Sequence, residues 1–326
     1  MSESLNVDVV IVGAGPAGLA TACRLMQQAN EANKALSVAV LEKSEQIGGH
    51  IVSGAIFDPR PLDELFPDWQ QRNAPVHLVV EEDHYTFLLN ERNSLSIPHA
   101  VLPPSLDNQG HFIISLGELC VWLAEQATAL GVDIFTGFAA QSLLYDEQQL
   151  CGVRTGDKGR DKNGDPTAVF QEGIDIYAHY TVLAEGSRGH LGKEVIERFE
   201  LDADKEPQHY ALGFKEKWRI PDDDYRAGNV THTLGYPLSG NATGGGFLYH
   251  GLNNEVVVGL IVDLNYRDPY LSPYDEFQRF KQHPVIRTIL AQGERLSFGA
   301  RTLTKGGFSA LPRQSFPGGV LIGCDA

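Results

Sequence analysis

The chain has 326 residues, 42% of them hydrophobic, and carries 26 basic against 42 acidic residues for a net charge of −16. That is enough apolar content for one large domain or two closely joined ones, and too little for a multi-span membrane protein. The acidity argues against a nucleic-acid partner, which requires clustered Lys and Arg, and against membrane contact through a basic patch, so any membrane contact has to be apolar.

In chain order, the first element is an apolar strand, Val7 to Val12, running into "GAGPAG" and then an apolar helical stretch. Gly13, Gly15 and Gly18 form G-x-G-x-x-G, with Pro16 and Ala17 opening the helix. The first glycine permits the turn, the second lets backbone approach a pyrophosphate, and the third lets helix pack on strand. A second strand, Val38 to Leu41, ends at Glu42, whose carboxylate suits a ribose hydroxyl. Strand, glycine turn, helix and acid together predict dinucleotide binding.

Next come "KSEQIGGHIVSG", with Lys43, Gly48, Gly49, His50 and Ser53, and the proline-punctuated run "AIFDPRPLDELFPDWQQRNAP". Pro61 suits a first helical turn, and Leu62, Leu65, Phe66 and Trp69 then fall on one face, with Phe57 preceding them. The spacing predicts a compact apolar knob over 54–75, its helical run broken by Pro67. Leu116, Leu119, Cys120, Leu123, Ala124, Ala127 and Leu130 predict a helix over 117–130 capped by Gly131, with Cys120 in its core face. The polar stretch 156–166 lacks calcium-loop spacing and predicts a hairpin tip. The segment "YTVLAEGSRGHL" is a strand ending in Ala184, Glu185 and Gly186. Successive strands over 209–262 form a mixed sheet containing Gly244, Gly245, Phe247 and Tyr249, and a helix pair broken at Pro284 follows. The last strand, in "FPGGVLIGCDA", ends in Gly323, Cys324 and Asp325. The four cysteines form no C-x-x-C pair and have no histidine at ligand spacing, so no metal is assigned to this chain and a reducing compartment is expected. Met1 leads within seven residues into the first strand, leaving no room for a targeting segment.

The glycine loop after Glu42, the "AEG" strand end and the "GCD" strand end resemble the FAD-binding motifs of the glutathione-reductase-like class. No second G-x-G-x-x-G follows a strand and no redox cysteine pair is present, which removes the pyridine-nucleotide disulfide reductases. The combination "IGGHIVSGAIFDPRPLDELFPDW", "VLAEGSRGHL", "GGGFLYH", "DPYLSPYDEFQRFKQHP" and "FPGGVLIGCDA" closely resembles the electron-transfer flavoprotein–ubiquinone oxidoreductase family over nearly the whole chain. The resemblance implies an α/β protein: a glutathione-reductase-like FAD-binding Rossmann fold with an inserted mixed-sheet α+β quinone-binding domain. The expected division is FAD-binding parts at 1–75, 111–195 and 296–326, a crossover at 76–110, and the quinone domain at 196–295.

The resemblance further implies FAD held by Gly13, Gly15, Pro16, Ala17, Gly18, Glu42, Lys43, Gly48, Gly49, His50, Ser53, Ala184, Glu185, Gly186, Gly323 and Asp325. It implies quinone at Gly244, Gly245 and Phe247, and insertion of Phe57, Leu62, Leu65, Phe66 and Trp69 into one bilayer leaflet. The implied activity passes electrons from electron-transfer flavoprotein to membrane ubiquinone, with no catalytic side chain beyond the flavin. The implied 4Fe-4S cluster belongs to a region expected beyond this sequence, and the expected location is the cytoplasmic face of a bacterial inner membrane. Ser115 stands where some relatives have arginine. A geranylgeranyl-reductase-like or FixC-like flavoprotein, or a non-catalytic FAD-binding fragment, are the other readings.

Overall fold

The computed structural model describes residues 4–51 and 54–325, and of Asp325 only the backbone. The chain divides into two compact units, Met1–Ile51 with Gly117–Pro207 and Gly307–Ala326, and Val52–Leu116 with Gln208–Gly306.

The first unit is a Rossmann-like layer. Its parallel strands stand in the order Gly319–Leu321, Asp175–Leu183, Ser4–Val12, Val38–Glu42 and Asp133–Thr136. Val10 and Ile11 are fully buried, as an uninterrupted apolar strand requires when both faces are covered. Helix Pro16–Glu31 leaves the first strand and turns Leu19, Ala22, Cys23 and Met26 inward. Helix Leu116–Ala129 buries Leu119, Cys120, Leu123, Ala124 and Ala127, the predicted stripe, and Gly131 follows it with φ of 99°. Burial pushes the Cys23 and Cys120 thiols up to about 12, in keeping with core residues. An antiparallel pair, Ala140–Asp146 and Gln149–Thr155, joins the sheet at strand Asp175–Leu183. The polar stretch is the ribbon Lys158–Arg160 and Pro166–Gln171, whose Asp161 carboxylate accepts from the backbone N–H groups of Asn163 and Asp165. Its carboxylate thus closes its own turn.

The second unit is built on a seven-stranded mixed sheet. The order is Glu294–Thr304, Tyr210–Arg219, Glu255–Asp263, Gly244–His250, Asn229–Gly235, Glu82–Leu88 and Ser94–Ile97. Only the pairing of Asn229–Gly235 with Glu82–Leu88 is parallel. Strand Glu255–Asp263 alternates between two cores. Val256, Val258, Leu260 and Val262 meet Phe277, Phe280, Ile286 and Leu290 of helices Pro273–Gln282 and Pro284–Leu290. Val257 packs oppositely with Phe247, Tyr249, Val230 and Ile113. The period of two thus serves two layers at once. Buried Glu216 gathers Lys281 at 2.8 Å, Arg295 at 3.2 Å and the Trp218 indole N–H at 2.9 Å.

The division differs from the expected one: residues 196–207 belong to the first unit, residues 296–306 belong to the second because strand Glu294–Thr304 joins its sheet, and the first boundary lies earlier. Residues 54–75 fall in the second unit because Ala55–Phe57 pairs with Phe112–Ile114, and the Lys215 ammonium donates to the Gly54 carbonyl at 2.7 Å. Among the described residues no helix is long and apolar enough to cross a membrane.

Candidate functional site

Three strand ends of the first unit lie in register. Val12 pairs with Leu183, and Leu183 with Leu321, so the turns after them open on one edge of the sheet. Close contacts lock the turns together. The Ala184 N–H donates to the Val12 carbonyl at 2.8 Å, and the Ile322 N–H to the Leu183 carbonyl at 3.0 Å. A Cβ on Gly13 would stand 2.3 Å from the Ala184 oxygen, and Gly13 has φ of 109°. A Cβ on Gly18 would stand 2.0 Å from the Gly13 oxygen, which is the close helix approach predicted for the third glycine. Gly323 is packed against the Ala17 methyl, 2.9 Å from where its own Cβ would lie.

Two other glycines face open space. Nothing lies within 4 Å of a Cβ placed on Gly15 or Gly186. Gly15 is the N-cap of the helix Pro16–Glu31, with no side-chain cap and no acidic residue in the first turn. The free N–H groups and helix dipole there favour an anion. The Glu42 carboxylate is oriented by two backbone donors, Ala14 N–H at 3.0 Å and Ser44 N–H at 2.8 Å. Each oxygen keeps acceptor capacity for a hydroxyl. The residues present therefore fit a dinucleotide: a bare helix N-terminus, a backbone surface without side chains, and an acid at the neighbouring strand end.

The loop after Glu42 bends at Gly48, with φ of 76°, where a Cβ would stand 2.7 Å from the Gly117 carbonyl oxygen. A Cβ on Gly49 would meet the Ser44 hydroxyl at 2.7 Å, while Lys43 and His50 are exposed. Glu185, at the end of the neighbouring strand, also makes contacts within the protein. Its carboxylate accepts from the Gly192 N–H at 2.8 Å and faces the His190 ring at 3.3 Å, capping helix His190–Arg198. Ala184 and Gly186 on either side supply backbone to the shared edge. Ser53 lies outside the described residues, as does the side chain of Asp325.

In the second unit the glycine run heads strand Gly244–His250. Gly244 has φ of 151°, and a Cβ there would stand 2.0 Å from the Ile261 oxygen. A Cβ on Gly246 would stand 2.4 Å from the Phe280 ring. The sheet backbone thus demands glycine at 244, while at 246 the space of a side chain is taken by Phe280 of helix Pro273–Gln282 and by the Thr233 hydroxyl. Gly245 is looser, 2.9 Å from the Thr233 oxygen and 3.4 Å from a Leu234 methyl. Phe247 is buried and stacks on Tyr249 at 4.7 Å.

The knob is a correction. Helix Arg60–Leu65 forms, but Leu62, Phe66 and Trp69 are buried at 4%, 3% and 5% exposure, and Phe57 and Leu65 are half-buried. The Trp69 indole donates to Asp63 at 2.7 Å and its ring meets Phe112 edge-on at 6.0 Å. Burial of this face removes the predicted lipid anchor. The exposed apolar side chains lie elsewhere. Phe87 pairs across the sheet with both Leu95 and Leu234, and the three are 40%, 60% and 45% exposed. Sequence reasoning passed over them because "YTFLL" and "SLSI" look like ordinary half-buried strands; their one signal is the polar turn "NERN" that makes them an edge hairpin.

Comparison with known proteins agrees with this layout. Residues 210–303 match the ubiquinone-binding domain model of ETF-QO, and residues 11–66 match an NAD(P)-binding Rossmann-like domain. The chain is 50% identical over 325 residues to the electron transfer flavoprotein-ubiquinone oxidoreductase of Pseudomonas aeruginosa, covering 99% of this chain and 59% of that protein. It is 47% identical over 327 residues to a probable electron transfer flavoprotein-ubiquinone oxidoreductase of Acinetobacter baylyi, covering 99% and 57%. The chain thus spans somewhat over half the length of these relatives. Its fold is similar to that of a geranylgeranyl bacteriochlorophyll reductase-like protein from Thermoplasma acidophilum, with TM-score 0.68 at 16% identity over 99% of this chain and 72% of that one. Nearly all of the chain is thus similar to somewhat over half of these electron transfer flavoprotein-ubiquinone oxidoreductases, the family its motifs resemble.

Proposed function

We propose that the first unit binds FAD and that the protein passes electrons from reduced electron-transfer flavoprotein to membrane ubiquinone through the second unit. The observation that carries the flavin half is the locking of three turns at one sheet edge, Gly13 against Ala184 and Gly323 against Ala17. The open backbone at Gly15 and the uncapped helix behind it receive the pyrophosphate, Glu42 holds a ribose, and Gly186 leaves room beside them. FAD, when bound, supplies one- and two-electron chemistry; the chain's own residues bind and orient it. The implied 4Fe-4S cluster is proposed for sequence beyond this stretch and not for these four cysteines.

The quinone half rests on the domain match over 210–303 and on Gly245. The Leu234 methyl near Gly245 continues the exposed row of Phe87 and Leu95. We therefore move the membrane contact from the knob to this edge. An apolar acceptor would pass along Leu234 to backbone at Gly245, where glycine allows close approach. Phe247, packed in the core beside Tyr249, backs the site from within.

The identity of 46–50% with ubiquinone oxidoreductases favours this reading over a geranylgeranyl-reductase-like one, for which only the fold speaks. Titration of the purified chain with FAD tests the flavin half: a one-to-one complex with shifted flavin absorbance is expected, and no saturable binding overturns it.

A further inference from the structure

We propose that the second unit binds a divalent cation between Asp83, His99 and Asp107. One ligand atom from each of these residues lies within 4.8 Å of the others. Asp83, on strand Glu82–Leu88, is only 5% exposed, while His99 and Asp107 are exposed. The decisive feature is the Asp83 Oδ1, which is buried and has no hydrogen-bond partner. A buried carboxylate oxygen without a donor costs free energy that a bound cation would recover.

The surroundings leave each ligand one free atom and hold its other. The Asp83 Oδ2 accepts from the Asn108 backbone N–H at 3.0 Å and from its Nδ2 at 2.9 Å. That fixes the carboxylate and leaves Oδ1 unshared. The His99 Nε2 lies 2.5 Å from the Asp83 backbone oxygen, so it carries the proton and donates, and the lone pair stands on Nδ1. A histidine ligand that donates its other nitrogen to a carbonyl is the usual outer-shell arrangement at metal sites. The Tyr85 ring packs edge-on against His99 at 5.8 Å, and the Tyr85 hydroxyl donates to the Leu106 carbonyl at 2.8 Å, holding the segment that carries Asp107.

One imidazole nitrogen and two carboxylates suit Zn2+ or Mn2+ and supply too few oxygens for a calcium cage. The exposed side at His99 and Asp107 leaves the remaining positions to water. Bound there, the cation would pin the segment 99–107 to strand Glu82–Leu88. The inference stands independently of flavin and quinone binding.

The test is calorimetric titration of the chelator-stripped 326-residue chain with Zn2+, repeated with Mn2+ by electron paramagnetic resonance. One saturable equivalent is expected. His99→Gln and Asp107→Asn, both at exposed positions, should each weaken binding at least tenfold. Asn108→Ala should weaken it by about 10–100-fold, the usual effect of losing an outer-shell partner. His84→Gln, an exposed histidine paired with Glu82, should change nothing. Absence of saturable binding of both ions, or binding that His99→Gln and Asp107→Asn leave intact, overturns the proposal.

Discussion

The Gly13 backbone stands so close to Ala184 that a single methyl group on the glycine would lie 2.3 Å from the neighbouring carbonyl oxygen. Two motifs far apart in sequence are thereby fused into one turn surface. The fusion makes Gly13 a stability residue as well as a binding one. Gly13→Ala faces that clash and a φ of 109°, and should lower unfolding stability by about 1–3 kcal/mol, the usual cost of backbone held in a sparsely populated region. Urea unfolding followed by circular dichroism measures it; an unchanged midpoint would mean that the turns are not locked.

The knob and the edge hairpin make opposite predictions. Trp69→Ala and Phe66→Ala should each destabilise the chain by about 3–5 kcal/mol, the usual loss for a buried aromatic. Phe87→Asp with Leu95→Asp should leave stability nearly unchanged and release the protein from liposomes. Co-sedimentation read beside thermal melts separates the two sites.

Acid should weaken the second unit through His250. Burial, followed by the charge of Arg226, lowers its pKa from 6.5 to about 4, and its Nδ1 accepts the Arg226 backbone N–H at 3.2 Å. Because the folded-state value is the lower one, its contribution is complete above about pH 6.5 and is lost as pH falls through 4. The loss between pH 7 and 5 should be on the order of 2 kcal/mol. His250→Gln, which keeps an acceptor, should flatten that slope in urea unfolding series at the two pH values; an equal slope would remove His250 as the cause.

Quinone access should depend on Gly245 and not on the flavin turns. In a full-length relative of this chain, Gly245→Leu should lower the rate of quinone reduction while the flavin stays bound. Steady-state kinetics with a soluble quinone, read beside flavin absorbance, checks this. Unaltered quinone kinetics would place the acceptor elsewhere.

Much of the first unit was legible because its rules are local. A glycine turn between an apolar strand and a helix has few physical solutions, and Gly13 and Gly18 adopt the close approaches that their spacing predicts. The helix over Leu116–Ala129 follows its apolar stripe for the same reason. The helix-capping contact of Glu185 was not legible because a carboxylate at a strand end suits a ligand and a helix cap equally well. The knob was misread because an apolar stripe looks the same whether it faces lipid or core; only pairing of Ala55–Phe57 with Phe112–Ile114, distant in sequence, decides. The exposure of Phe87 and Leu95 depends on which strand ends the sheet, and Asp83 meets His99 and Asp107 only after the intervening hairpin has folded back.

Gly15 offers the most direct test, because its position should matter to the ligand and not to the fold. A side chain there enters open space, and its φ of −80° suits any residue. Gly15→Val should therefore lower unfolding stability by no more than about 1 kcal/mol, the loss of a favoured N-cap residue, and weaken FAD binding about tenfold or more. Equal FAD affinity in the two proteins, at equal stability, would contradict a pyrophosphate seat at the start of helix Pro16–Glu31.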